Sequence, residues 1–369
     1  MKKMHSYILI IVTLLLVSLT ISVSWFRDIE SRRIEGERFL FPELGIPTDD
    51  NALKMLNDIT EVRIESPKET FSIIKNKESW ILPDLANFPV SVDKIKRVIV
   101  GLAQLETIET KTRNPELHGE LGLNLPSSDS SPSTSISLIG NENNILATLL
   151  VGKDSKSGKD TRYVRRPDAQ QTWLAWRNFE LPNTKIGWLD EDLFSIGRWR
   201  LADIKISHTN DSEVFIAREN YAEQYFKIQN LDEDVLPLNP YVGNQLGSSI
   251  EKLPIKNIML KENINKEDAI VGEYTTFDGL KVIVESFVFK GEIWISLNAS
   301  SDINLRRELP ADGPNIVGLP EMPSFESVVE ETQSLNEQFS DWVFQFPKSK
   351  HVQFRTKLKD ITKIQDLEQ

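Results

Sequence analysis

The chain has 369 residues, of which 40% are hydrophobic and 27% charged, with a formal net charge of −12 and no cysteine. This length and this composition are typical of a folded protein of about two domains. The lack of cysteine excludes disulfides, thiolate metal sites and a cysteine nucleophile. The acidic balance argues against nucleic acid as a partner.

An uncharged apolar segment lies at 7–25. As a helix its nineteen residues span roughly 28 Å, which is close to the ~30 Å hydrocarbon layer of a bilayer. Two lysines precede it, and Trp25 and Phe26 lie where interfacial aromatic residues are common. The sequence therefore predicts a transmembrane anchor over 1–26. A cleaved signal peptide and a buried core helix are the alternatives.

The residues after this segment are strongly charged. Basic and acidic residues alternate over 27–38 (RDIESRRIEGER), which is typical of a solvated stalk, and we assign 27–58 to it. Basic residues lie on both sides of the apolar segment, so charge alone does not orient it in a membrane.

A first α+β unit is predicted over 59–182. A helix is predicted at 92–105, because its apolar residues recur on one helical face. Alternating apolar residues predict strands at 61–66, 70–75, 80–82, 107–112, 136–139, 145–151, 162–165 and 172–176. This order is α+β and lacks the βαβ alternation of a nucleotide-binding parallel sheet.

The same plan recurs over 183–309, at an offset of about 140–150 residues, which is longer than a solenoid period. A helix is predicted at 240–253, with Tyr241, Leu246, Ile250 and Leu253 on its apolar face. Strands are predicted at 203–207, 213–218, 225–229, 255–260, 269–275, 281–287 and 293–298. The fold class is thus an N-terminal transmembrane helix followed by two tandem, similar α+β units, with mostly antiparallel sheets and one main helix each.

The last segment, 310–369, is predicted to be separate from the second unit. It begins with a loop rich in proline and glycine at 310–323. A helix at 324–339 and a strand at 342–346 follow it, and a short polar tail ends the chain.

Short sequences along the body occur in a characteristic order. They are Trp80-Ile81-Leu82, GLAQLETIET at 101–110, Leu121-Gly122-Leu123 with Pro126, LLVGK at 149–153, Tyr163-Val164-Arg165-Arg166, Trp188-Leu189-Asp190, WVFQFP at 342–347 and KLKDI at 357–361. Together they resemble the bacterial family called domain of unknown function 4340. Leu125 and the serine-rich loop after it depart from the family pattern.

This resemblance implies a single-pass protein of the inner (plasma) membrane with its body in the periplasm. It also implies association with the ATPase or permease subunits of a gliding-motility-type ABC transporter. It brings no catalytic residue to any position of this chain.

No catalytic, cofactor-binding or metal-binding residue is predicted. The stretch 152–160 (GKDSKSGKD) has five residues between its glycines where a phosphate loop has four, and Asp160 replaces the hydroxyl residue that binds Mg²⁺. It is predicted to be a hairpin turn. The four histidines (His5, His118, His208 and His351) and the acidic clusters 190–192 and 232–234 lack the spacing of a zinc or calcium site.

A cluster of arginines and the number of tryptophans could indicate ligand binding, but each has a simpler structural explanation. Arg162, Arg165 and Arg166 surround Tyr163, but alternation along a strand divides their side chains between two faces. Most of the eight tryptophans lie in apolar runs, which favours core packing over carbohydrate stacking.

The sequence therefore predicts a non-enzymatic, membrane-anchored accessory or scaffold protein of an ABC-type transport or gliding-motility-like assembly. An envelope binding module for a glycan or lipid, using exposed tryptophans and the 162–166 edge, is the alternative. An enzyme is the least expected.

Overall fold

The computed structural model describes residues 39–44, 57–127, 131–156, 160–190, 193–262, 264–307 and 320–364. These residues divide into two compact units. The first contains the described residues up to 82 and then 89–188, and the second contains 83–88 and the described residues from 189 onwards. Each unit is described below by itself.

Nine strands of the first half of the chain form one sheet, in the order β4-β3-β2-β1-β6-β7-β8-β9-β5. The strands are β1 (Glu61–Glu65), β2 (Thr70–Asn76), β3 (Ser79–Leu82), β4 (Phe88–Pro89), β5 (Thr107–Thr110), β6 (Thr134–Ile139), β7 (Ile145–Asp154), β8 (Thr161–Arg165) and β9 (Thr172–Trp176). All pairings from β3 to β5 are antiparallel.

Alternation of buried and part-exposed residues explains these strands. In β1, Val62 and Ile64 are fully buried and lie opposite Ile73 and Phe71 of β2, so one face of the pair is apolar. The helix α1 (Val92–Ala103) buries a stripe of its own, which includes Ile95 and Leu102. These buried residues of the strands and of α1 belong to the hydrophobic core of the first unit.

Eight strands of the second unit form a second sheet, in the order β12-β11-β10-β15-β16-β17-β18-β14, and a two-stranded ribbon pairs β13 with β19. The strands are β10 (Leu201–Ser207), β11 (Val214–Ala217), β12 (Lys227–Ile228), β13 (Val235–Pro237), β14 (Asn257–Leu260), β15 (Glu267–Thr276), β16 (Leu280–Phe289), β17 (Glu292–Ser301), β18 (Trp342–Gln345) and β19 (Thr362–Ile364). The helices are α2 (Val242–Gly247), α3 (Phe325–Phe339), α4 (Lys348–Phe354) and α5 (Leu358–Ile361).

The order of the strands corresponds in the two sheets. From β3, the neighbour of the edge strand β4, the first sheet continues β2-β1-β6-β7-β8-β9-β5. From the edge strand β12, the second sheet continues β11-β10-β15-β16-β17-β18-β14. A helix precedes the final edge strand in both, α1 before β5 and α2 before β14. The second unit adds α3 between β17 and β18, whereas residues 166–171 between β8 and β9 contain no helix.

The helix α3 is fixed to the second sheet by specific polar contacts. Its N-cap, Ser324, accepts a hydrogen bond at its Oγ from the Ser327 N–H. The Asn336 amide both donates to the Ala299 carbonyl and accepts from the Ala299 N–H of β17, each at 2.8 Å. This helix and β18 therefore belong to the second unit, although the sequence predicts a separate segment at 310–369.

Arg200 connects α3 to a buried carboxylate of the second unit. Its guanidinium donates to the Asp278 carboxylate at 2.8 Å and to both oxygens of Glu331 on α3, also at 2.8 Å. The Asp278 side chain is 1% exposed. Burial of the group works against the charged form, but the hydrogen bonds that Arg200 donates to Glu331 and Asp278 raise its pKa above the ordinary value.

The predicted α+β fold class is wrong in its helices. The described residues form mostly antiparallel sheets with few helices, and α2 covers only six residues of the helix predicted at 240–253. Gly243 and Gly247 have low helix propensity and are required by packing, since an added Cβ on Gly243 would lie 2.7 Å from Phe226. The longest helix of the second unit is α3 instead.

The predicted fold class and the predicted inner-membrane location also included a transmembrane helix. Within the described residues, no helix has the length and apolar character needed to cross a membrane. Both predictions are corrected on that finding. The segment 7–25, on which the anchor was predicted, and the stalk residues 27–38 lie outside the described residues.

Candidate functional site

The three arginines considered as an anion site are engaged within the first unit. Arg162 and Arg165 are each only 8% exposed. Arg162 forms an ion pair with Asp154, and Arg165 donates to backbone carbonyls of the loop that follows it. Arg166 pairs with Glu43 at 2.7 Å. Burial lowers the pKa of both Arg162 and Arg165. These side chains do not converge on a common open site.

The glycine–lysine stretch at 152–160 joins two antiparallel strands. Gly152 lies inside β7, and Asp154 lies opposite Arg162 of β8. A Cβ on Gly152 would lie 2.4 Å from the Leu121 carbonyl oxygen, so glycine is required here by close packing. Residues 157–159 lie outside the described residues. The first glycine therefore occupies a strand and not the turn before a helix that a phosphate loop needs.

These contacts separate a packing role from a nucleotide-binding role. We expect Gly152→Ala to lower the melting temperature, because the Leu121 carbonyl cannot move aside, at a cost of about 1–3 kcal/mol. We expect Lys159→Ala to leave both stability and cellular function unchanged. Differential scanning calorimetry and a phenotypic assay measure the two effects. Nucleotide hydrolysis by the wild-type chain that Lys159→Ala abolishes would contradict this assignment.

The two histidines whose side chains are described form hydrogen bonds with backbone carbonyls distant in sequence. His118 is buried and its Nε2 lies 2.9 Å from the Gln170 carbonyl oxygen, while burial lowers its pKa. In the second unit, Nε2 of His208 lies 2.9 Å from the Thr356 carbonyl oxygen. His5, the side chain of His351 and residues 191–192 lie outside what the structure describes. Among the described residues, no three histidine or acidic side chains are close enough to hold a metal ion.

The tryptophans differ in exposure. Trp80, Trp188 and Trp294 are at most 7% exposed and belong to the cores. Trp176, at the end of β9, is 49% exposed and lines a cleft of about 440 Å³ with Phe39 of the first unit. Core packing therefore accounts for the first three but not for Trp176.

An exposed aromatic pair distinguishes the second unit. Tyr225 and Tyr241, here called the tyrosine pair, are 42% and 57% exposed, and their rings meet edge to face with centroids 5.6 Å apart. Leu236 and Leu238, on the segment leading to Tyr241, are 38% and 52% exposed. Large exposed aromatic and aliphatic side chains are common at interaction surfaces.

The tyrosine pair is positioned by the buried amide of Asn244 on α2. The Asn244 Oδ1 accepts from the Phe226 N–H, and its Nδ2 donates to the Gln224 carbonyl, both at 3.1 Å. The backbone on both sides of Tyr225 is thereby fixed to α2. Tyr241 is the N-cap residue of the same helix, and its N–H donates to the Asn239 side chain at 2.9 Å. The two rings are therefore held by one small helix.

The sequence predicts other roles for both tyrosines. It predicts Tyr241 on the apolar face of a helix, but only Leu246, Ile250 and Leu253 of that face are buried. It predicts Tyr225 at the start of a strand, whereas β12 begins at Lys227. For Tyr241 the sequence does contain a signal, because Asn239 followed by Pro240 favours a turn immediately before it.

The fold and this site define a two-unit, mostly antiparallel β protein with an exposed aromatic surface. The family described as a domain of unknown function (DUF4340) matches residues 80–270, and the chain belongs to this family. The resemblance noted from the short sequences is thereby confirmed. No curated protein and no solved structure matches the chain.

Proposed function

We propose that this protein is a non-enzymatic accessory protein that works by protein contact, and that the tyrosine pair is part of its contact surface. The observation that carries the proposal is the exposure of two large aromatic side chains held rigidly by α2. Tyrosine is among the residues that dominate binding energy at protein interfaces, because its ring contributes a large contact area and has few rotamers to lose.

The partner we propose is an ATPase or membrane subunit of an ABC-type transport or gliding-motility-like assembly. This part of the proposal is supported by family resemblance and not by geometry. A protein that acts through such a partner needs no nucleotide site of its own, which agrees with the packing role assigned to Gly152.

The test is capture of that partner by the tagged full chain, with the partner identified by mass spectrometry. Removal of an interface hot spot costs about 2 kcal/mol or more, roughly a 30-fold loss of affinity. We therefore expect the double variant Tyr225→Ser, Tyr241→Ser to capture at least tenfold less of the transporter subunit. The matched control is Ile145→Ser, which removes an apolar side chain that is 59% exposed in the first unit.

Both variants should unfold at the temperature of the wild type, because the residues changed are on the surface. Equal capture of the transporter subunit by the wild type and the double variant would remove the tyrosine pair from the contact surface. Failure of the wild type to capture any transporter subunit would overturn the proposed partner.

A further inference from the structure

A second feature of this unit, separate from the tyrosine pair, is a cavity of about 450 Å³ with basic and aromatic walls. Its lining includes Arg198, Trp199, Arg218, Tyr221, Glu223 and Glu251. Small-molecule sites commonly have this size, with a few polar groups set among aromatic walls.

The charge of Arg218 is buried without a carboxylate partner. The residue is 5% exposed, and its guanidinium donates to the backbone carbonyls of Trp199, Leu201 and Glu223 at 2.8, 3.0 and 2.8 Å. Among the described residues, no acidic side chain lies within ion-pair distance of it. Carbonyl oxygens accept its hydrogen bonds, and the rings of Phe226 and Phe277 lie 4.8 and 5.1 Å from the guanidinium, but no carboxylate neutralises its positive charge.

A second guanidinium, that of Arg198, lies at the same cavity. It is partly exposed, and within the described part of the chain its side chain forms no hydrogen bond or ion pair. Its methylene stem packs over Gly247, where an added Cβ would lie 2.8 Å from the Arg198 Cγ. Burial and the nearby charge of Arg198 lower the pKa of Arg218 to about 10. Two cations therefore lie close together, an arrangement that an anion would stabilise.

The two acidic residues of the lining accept hydrogen bonds from backbone N–H groups. Glu251 accepts a hydrogen bond from the Arg198 backbone N–H at 2.6 Å. Glu223 accepts from the Glu219 N–H at 2.9 Å and lies 3.7 Å from the Lys227 ammonium. Neither carboxylate lies within ion-pair distance of either guanidinium. Arg198 keeps the fork of donors that binds a carboxylate or phosphate in a bidentate manner.

Two aromatic side chains, Trp199 and Tyr221, line one part of the cavity. Trp199 and Tyr221 meet edge to face with ring centroids 5.8 Å apart. The Tyr221 hydroxyl donates to the Pro320 carbonyl at 2.9 Å, which fixes that ring, and burial raises the pKa of Tyr221 to about 12. Trp199 is only partly buried, so part of the indole is open to a ligand. An indole beside a cation suits a ring-shaped polar ligand that carries negative charge.

We propose that this cavity binds a small acidic sugar, with its carboxylate or phosphate on Arg198 beside Arg218 and its ring against Trp199. The site does not depend on the protein contact proposed for the tyrosine pair. It assigns the second unit a ligand of defined chemistry in addition to a protein partner.

The experiment is isothermal titration calorimetry of the full chain with four probes: D-glucuronate, glucose 6-phosphate, glucose and inorganic phosphate. We expect at least one of the two acidic sugars to bind saturably, at least tenfold more tightly than glucose or inorganic phosphate. The tighter of the two identifies the anionic group. We expect Arg198→Gln to weaken that binding at least tenfold, because it removes the bidentate cation.

Two further variants make the result specific. Trp199→Leu is expected to weaken the acidic sugar at least threefold. Arg97→Gln, which changes an exposed arginine of α1 in the first unit, is the matched control and should bind as the wild type does. Absence of saturable binding by both acidic sugars would overturn the proposal. So would unchanged affinity in Arg198→Gln, or glucose binding as tightly as its acidic derivatives. Thermal unfolding of each variant verifies that it is folded.

Discussion

Arg200→Met is expected to lower the free energy of unfolding of the second unit by about 3–5 kcal/mol, the loss usual when one partner of a buried ion pair is removed. Arg200 is the shared cation of two carboxylates, and the Asp278 side chain is 1% exposed. The methionine side chain fills most of the space of the arginine stem but leaves Asp278 buried and unpaired. Urea denaturation followed by circular dichroism measures the change.

Two controls show that the effect comes from burial of the charge. Glu331 is 32% exposed at its side chain, so water can replace part of what Glu331→Gln removes, and this variant should lose less. Lys227→Met breaks a pair in the same unit whose side chains are 59% and 78% exposed, and exposed pairs contribute at most about 1 kcal/mol. A loss in Arg200→Met no larger than that in Lys227→Met would mean that the three-residue network does not hold α3 in place.

Most strands of both units could be predicted from the sequence because their signal is local. In a run such as 61–66, apolar residues fall at every second position, and that spacing places one face in a core, as Val62 and Ile64 in β1 demonstrate. The pairing of strands is not local. The position of β5 at the edge beside β9 joins residues more than 60 apart in the chain, such as Thr107 and Ala175, and no periodicity encodes it.

Helices were predicted less well for a related reason. The apolar stripe of 92–105 is complete, and α1 forms there. At 240–253 the stripe is interrupted by Gly243 and Gly247, whose backbones approach Phe226. In the sequence, a glycine shows only its low helix propensity and not the tertiary contact that requires it. The short length of α2 therefore follows from a contact that the sequence does not display.

The cavity could not be predicted, because residues distant in sequence determine whether each of its arginines is paired with a carboxylate. Arg198 and Arg218 have the same side chain as Arg200, yet Arg200 is neutralised by Asp278 and Glu331. Arg218 is surrounded instead by backbone carbonyls. Only the fold determines which arginine meets a carboxylate, so composition cannot separate a structural cation from one available to a ligand.

Asn244→Ala is expected to lower the free energy of unfolding by about 1–3 kcal/mol and to release the tyrosine pair. The change deprives two backbone groups, the Phe226 N–H and the Gln224 carbonyl, of the partners that the amide supplies. The Phe226 N–H is buried, and a group left unsatisfied away from water costs about 1–3 kcal/mol. Gln224 is exposed, so water can replace the amide at its carbonyl. Hydrogen exchange should accelerate at the amides of 225–228, because their attachment to α2 depends on this side chain.

Asn239→Ala is the matched control, since its hydrogen bond to the Tyr241 N–H is exposed and its loss should cost about 1 kcal/mol or less. If the variant at 244 were as stable as the variant at 239, the amide would not be what holds Tyr225 beside Tyr241. If it were unstable yet captured the transporter subunit as well as the wild type, the rigidity of the pair would be irrelevant to binding.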